Sequence, residues 1–87
     1  MSDQVEIQFD LEVDARGLSC PMPVVKARQA LKELEPGQVL RVVATDRGSI
    51  KDFQGWAQSA SDFELLAQHE VEEEGRKLYL HYLRKTA

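Results

Sequence analysis

The chain has one cysteine and three prolines in 87 residues, and it lacks a long apolar run, a basic surplus and any internal repeat. One thiol cannot close an internal disulfide, so the fold gains no covalent staple, and a reducing cytoplasm is the expected setting. No apolar stretch nears the ~18 residues that a membrane span needs, so no membrane insertion is expected. The opening MSDQVEIQFD is acidic and carries no hydrophobic block, which is not the pattern of a signal peptide. The formal net charge of −4 argues against direct nucleic-acid binding, because phosphate neutralisation calls for a basic surface. Hydrophobic residues make up 43% of the chain, enough and periodic enough to exclude disorder. The length fits one domain spanning residues 1–87, with a small core that buries about 60–65% of the unfolded surface.

What is present is a succession of clear periods. Residues 5–13, VEIQFDLEV, alternate, with Val5, Ile7, Phe9, Leu11 and Val13 on one side, which predicts a half-buried strand. Residues 14–19 read as a loop with Gly17 as its turn point. From Pro21 to about Leu34 the period becomes helical, with Val24, Ala27, Leu31 and Leu34 on the apolar stripe. Glu35-Pro36-Gly37 ends that helix. QVLRVVAT, residues 38–45, is apolar on both faces apart from Arg41 and predicts a central strand. Asp46-Arg47-Gly48 predicts a turn, and Ser49 with Asp52 resembles a capping box for a second helix. That helix presents Ile50, Phe53, Trp56, Ala57 and Ala60 to the core. Gly55 weakens it by roughly 1 kcal/mol relative to alanine. Residues 63–73 and 77–85 predict two strands joined at Glu74-Gly75.

The resulting order, βαβαββ, predicts an α+β two-layer sandwich with a four-stranded sheet and both helices on one face. Strands one and two, joined through a helix, should be parallel with a right-handed crossover. Helices on one face leave the other open. Leu78, Leu80 and Tyr82 on one side of the last strand and Tyr79, His81 and Leu83 on the other predict an open face that is apolar in part.

The lone thiol lies in GLSCPMPVVKARQAL, residues 17–31. Proline suits the first helical position, where its missing N–H has no helical partner, and a residue before proline is biased to the extended backbone of an N-cap. The sequence therefore predicts Cys20 as N-cap, Pro21 as the first helical residue and Pro23 as the third. The helix dipole then favours the thiolate and lowers the thiol pKa. Pro23 has no N–H, which leaves Met22 as the remaining capping donor and the sulfur lightly hydrogen-bonded. A lightly solvated thiolate keeps its nucleophilicity. Arg16, Lys26 and Arg28 flank the motif and are candidate docking charges.

One thiol cannot run a two-cysteine redox cycle. It cannot hold structural zinc alone, and His69 and His81 have no ligand spacing to it, so no metal or cofactor is expected. No histidine is placed by sequence to act as its base. The chemistry left to it is to accept a group from another protein's cysteine and pass it on. Two other readings stand beside that one. In one the chain is a non-catalytic interaction module whose thiol is incidental; in the other it is a redox sensor.

LEVDARGLSCPMPVVKARQAL, with its Cys-Pro-x-Pro motif, resembles the signature of the TusA-like (SirA-like) sulfur carrier family. The likeness continues through the Pro36-Gly37-Gln38 turn, the strand ending at Thr45-Asp46, SIKDFQGW and YLHYLRK. The resemblance implies a mixed sheet in the order 1-2-4-3 and an intracellular carrier that holds sulfane sulfur as a persulfide on Cys20. Pro21, Met22 and Pro23 would support the site. The sulfur donor would be a cysteine desulfurase or a rhodanese-like protein. The acceptor would be a DsrE-like relay protein or a thiolase, serving tRNA thiolation, molybdenum-cofactor formation or sulfur oxidation. Such a carrier transfers sulfur without being an independent catalyst, and is expected to be a monomer or weak dimer. Met22 departs from the acidic residue often found at this position in the tRNA-linked branch. Asp46 matches an acidic position at the motif's end of the sheet and is a candidate partner contact; turn formation is its simpler role.

Overall fold

The structure, a computed structural model, describes residues 7–19 and 21–87. Its elements are β1 (Leu11–Ala15), α1 (Met22–Leu31), β2 (Val39–Ala44), α2 (Ser49–Ser59), β3 (Phe63–Glu73) and β4 (Arg76–Lys85). The sheet order is β1-β2-β4-β3. β1 and β2 are parallel, whereas β4 runs antiparallel to both β2 and β3. This is the expected α+β sandwich, in the expected strand order.

Side-chain alternation sorts the sheet into two faces. Leu40, Val42 and Ala44 of β2 and Leu83 of β4 join Ala27 and Leu31 of α1 and Phe53 of α2 in one buried cluster. Both helices therefore cover that face. On the other face Val43, Leu78 and Tyr82 are buried although no helix covers them, and Val71 and Leu80 are half-buried beside them. The open face is thus apolar down its middle, as the last strand's composition predicted. Glu12 of β1 and Arg41 of β2 lie opposite each other there and form an ion pair.

Four local expectations are corrected. The first strand starts later than residue 5 and ends later than residue 13: it runs from Leu11 to Ala15, so Asp14 and Ala15 belong to it and not to the loop. Val5 lies outside the described residues. β2 begins only at Val39, just after the Pro36-Gly37 turn, so residues 7–9 of the described chain have no β2 residue to pair with. Asp10 caps the pairing by donating its N–H to the Val39 carbonyl at 2.8 Å and accepting the Val39 N–H on its side-chain Oδ2 at 2.9 Å. Phe9 then crosses to the open face, its ring 4.3 Å from the Arg41 guanidinium, so it does not share a face with Leu11.

The first helix ends at Leu31. Leu34 stays buried through a tighter tail, in which Glu33 and Leu34 donate to the carbonyls of Ala30 and Leu31. Ser49 forms no capping box: the N-cap is Gly48, and the Ser49 hydroxyl lies 2.9 Å from His81 Nε2 inside the core. The strand after the hairpin starts one residue early, at Arg76. Glu74 and Gly75 both have positive φ, 52° and 78°, which is the turn chemistry a two-residue hairpin needs.

Candidate functional site

The parallel pairing fixes where the site lies. Ala15 faces Ala44 across the sheet, so β1 and β2 end at the same edge, and α1 and α2 both begin there. Gly17 turns the first connection with φ of 81° and donates its N–H to Thr45 Oγ1 at 2.9 Å. The two connections are therefore tied together. The Leu18 N–H reaches the Ala15 carbonyl at 3.3 Å, and its side chain packs against the core. Cys20 lies outside the described residues. Its neighbours Ser19 and Pro21 are both exposed.

The start of α1 is shifted by one residue from the expectation. Pro21 has φ −96° and ψ 17°, outside the helical well, so it is the N-cap and Met22 the first helical residue. The expected arrangement, with Cys20 as N-cap and Pro21 as first residue, is corrected accordingly. Pro23 becomes the second helical residue and its ring is buried. The Pro21 carbonyl accepts the Val25 N–H at 3.1 Å. The Met22 N–H goes to the Ser19 carbonyl at 2.8 Å. It is therefore already engaged, and the two prolines beside it have no N–H to give. The head of α1 is poor in amide donors while keeping the positive end of the helix dipole.

The flanking charges are arranged unequally. Arg16 forks onto Asp14, with Nε 2.9 Å from Oδ1 and Nη2 3.1 Å from Oδ2. Those hydrogen bonds, with the Arg16 backbone N–H, lower the Asp14 pKa to about 2. Arg16 is thus largely neutralised within the chain. Lys26 is exposed, and its charge adds a smaller lowering of the Asp14 pKa. Arg28 is exposed but lies 5.9 Å from the Trp56 ring, which places it between the helices and away from the helix head. Asp46 lies at the site's edge. Its carbonyl accepts the Ser49 N–H at 3.0 Å and its Oδ1 accepts the Gly48 N–H at 3.2 Å.

The structure adds a residue that sequence reasoning passed over. Met22 and Val25 are 43% and 37% exposed and lie three apart on α1, so they share a face beside the motif. Val25 stands off the stripe that points to the core; that misfit was the signal available in the sequence. Among the described residues no group of three or more His, Cys, Asp or Glu side chains could hold a metal ion. No helix among them is long and apolar enough to cross a membrane.

Comparison with known proteins agrees with this geometry. A family model described as sulfurtransferase TusA matches residues 11–85. The chain is 47% identical to the sulfur carrier protein TusA of Allochromatium vinosum over 79 residues, covering 91% of this chain and 96% of that one. It is 34% identical to the sulfur carrier protein TusA of Pseudomonas fluorescens, with 100% of this chain and 99% of that one covered. A crystal structure of a SirA-like protein from Desulfitobacterium hafniense matches with a TM-score of 0.64 at 25% identity, covering 90% of this chain and all of that one.

Proposed function

The chain belongs to the sulfurtransferase TusA family, and from that premise we propose that Cys20 carries sulfane sulfur as a persulfide between two partner proteins. The observation that carries the reading is the donor inventory beside position 20. Pro21 and Pro23 have no N–H, and the Met22 N–H is given to Ser19. A thiolate at this helix head gains from the dipole, while Pro21, Met22 and Pro23 offer it no free N–H and leave Val24 as the nearest helical amide donor.

The transfer balances without an external oxidant. The Cys20 thiolate attacks the outer sulfur of a donor persulfide. A new S–S bond forms on Cys20, the donor's S–S bond breaks, and the donor leaves as a thiolate. An acceptor thiolate repeats the step in the other direction. Pro21 and Pro23 stiffen the backbone that presents the sulfur. Met22 and Val25 supply an apolar contact surface beside it, and Lys26 and Asp46 supply charges that steer a partner. A cysteine desulfurase or rhodanese-like protein fits the donor role, and a DsrE-like protein or thiolating enzyme fits the acceptor role, in the cytoplasm.

The test is intact-protein mass measurement after incubation with a purified cysteine desulfurase and L-cysteine. The expected result is a gain of one sulfur atom, reversed by reductant and absent from Cys20→Ser. No gain in the wild-type chain, or the same gain in Cys20→Ser, would overturn the reading.

A further inference from the structure

A histidine is fully buried on β4, and the sulfur chemistry above makes no use of it. His81 stacks on Phe53 with ring centroids 4.4 Å apart and planes at 25°. Its Nε2 lies 2.9 Å from Ser49 Oγ and its Nδ1 3.1 Å from Gln68 Nε2. The same Gln68 nitrogen donates to the Ile50 carbonyl at 3.0 Å, and Gln68 Oε1 accepts from Gln54 Nε2 at 2.9 Å. These contacts fix the tautomer. The Ile50 carbonyl can only accept, so the group facing it and His81 Nδ1 is the Gln68 amide nitrogen. Nδ1 therefore accepts, the ring is neutral, and its proton sits on Nε2, donated to Ser49 Oγ.

A small core gains little stability from such a network, since well-fitted apolar groups in place of both partners are near neutral. Where the bonds go points to another role. Apart from the His81–Gln68 bond that joins the two strands, they hold the first two turns of α2, at Ser49, Ile50 and Gln54. The second half of that helix is held by apolar contact, with Trp56 against Phe63 at 4.1 Å. From Ser49 the chain of contacts continues outward. The Ser49 N–H holds the Asp46 carbonyl, and the preceding residue, Thr45, holds the Gly17 N–H of the loop that carries the sulfur.

We infer that His81 and Gln68 are positioning residues: they lock the head of α2, and through the Asp46 turn and the Thr45–Gly17 hydrogen bond they set the arrangement of the two connections that a partner protein meets. The inference rests on the carrier reading for its functional consequence. It rests on geometry alone for the lock, a contiguous set of hydrogen bonds from the core to the loop.

The experiment compares wild type with the double variant Ser49→Ala/His81→Phe, which removes both partners of the central bond and keeps the ring on Phe53. Sulfur transfer from a purified cysteine desulfurase is followed at steady state, alkylation of Cys20 by iodoacetamide reports intrinsic thiol reactivity, and amide exchange reports the lock. The variant is expected to remain folded, with KM for the carrier raised on the order of tenfold, kcat within about twofold, and alkylation unchanged. Exchange at Gly17, Gly48 and Ser49 is expected to quicken without a matching loss of global stability. Unchanged KM and unchanged exchange at those amides in the folded variant would overturn the inference. If the double variant does not fold, Gln68→Leu is read by the same measures. Should the wild-type chain take no sulfur at all, the carrier reading fails, and the exchange measurement alone decides the positioning inference.

Discussion

Two strand-to-helix connections leave the same edge of the sheet, and they are built from opposite materials. The first, from Ala15 of β1 to Met22 of α1, removes donors: two of three successive residues are prolines, and the amide between them is already engaged. Its surface is exposed and apolar at Met22 and Val25. The second, from Ala44 of β2 to Ser49 of α2, uses its donors inward. Gly48 and Ser49 both give their N–H groups to Asp46, and the Ser49 side chain turns into the core toward His81. Under the proposed function one backbone geometry does two jobs: the first connection offers a reactive end to a partner, and the second anchors it.

That contrast can be broken at the anchor or at the presented end. The largest effect should come from Phe53→Ala, which empties a fully buried site against His81 and Trp56. A loss of about 3–5 kcal/mol in urea denaturation is expected. Met22→Ala at the other connection should change stability by less than about 0.5 kcal/mol while weakening transfer from a desulfurase. The next largest effect is on pH. Burial lowers the His81 pKa from 6.5 to about 4. Between those values the unfolded chain binds the extra proton, so stability falls as pH drops from about 6.5 to about 4 and this contribution is absent above that window. The total is about 3 kcal/mol. His81→Phe should remove this acid slope in denaturation curves taken across the window; an unchanged slope would assign it to other groups.

Pro23→Ala is expected to cost about 1–2 kcal/mol, because it removes a buried ring from the core. It also restores an N–H near position 20, and transfer should slow by about two- to threefold as the sulfur gains a donor. Equal or faster transfer would show that the missing amide is irrelevant. The smallest effect belongs to Gly55→Ala. An added Cβ there meets nothing within 4 Å, so the second helix should gain about 0.5–1 kcal/mol, read as a higher midpoint in urea.

The sequence carried most of this contrast, and the misses share a cause. The strand read over residues 63–73 matches β3 at both ends, where Phe63 pairs with Lys85 and Glu73 with Arg76 of β4, although a bulge at Leu66 breaks the register between. Equally regular alternation in residues 5–13 misplaced β1, because the pattern says nothing about where a partner strand begins. The Cys-Pro-Met-Pro run located the helix head to within one residue, since proline constrains its own backbone wherever it sits. The Ser49 role was not legible: Ser49 and Asp52 fit a cap, and only the fold brings His81, 32 residues on, against the hydroxyl. Arg16, a candidate docking charge in the sequence, lies in the structure against Asp14 two residues earlier.

β4 follows every other described element along the chain, yet it lies between β2 and β3 in the sheet. A ribosome-bound chain that has released everything up to β3 can assemble β1, α1 and β2 but has nothing to join β3 to them. Its Lys85 also closes the far side of the molecule, exchanging backbone bonds with Gly37 and Gln38 and reaching the Leu34 carbonyl with its amine. Folding during synthesis must therefore wait for the final strand, so the two connections take up their joint arrangement only after the whole sheet has been translated.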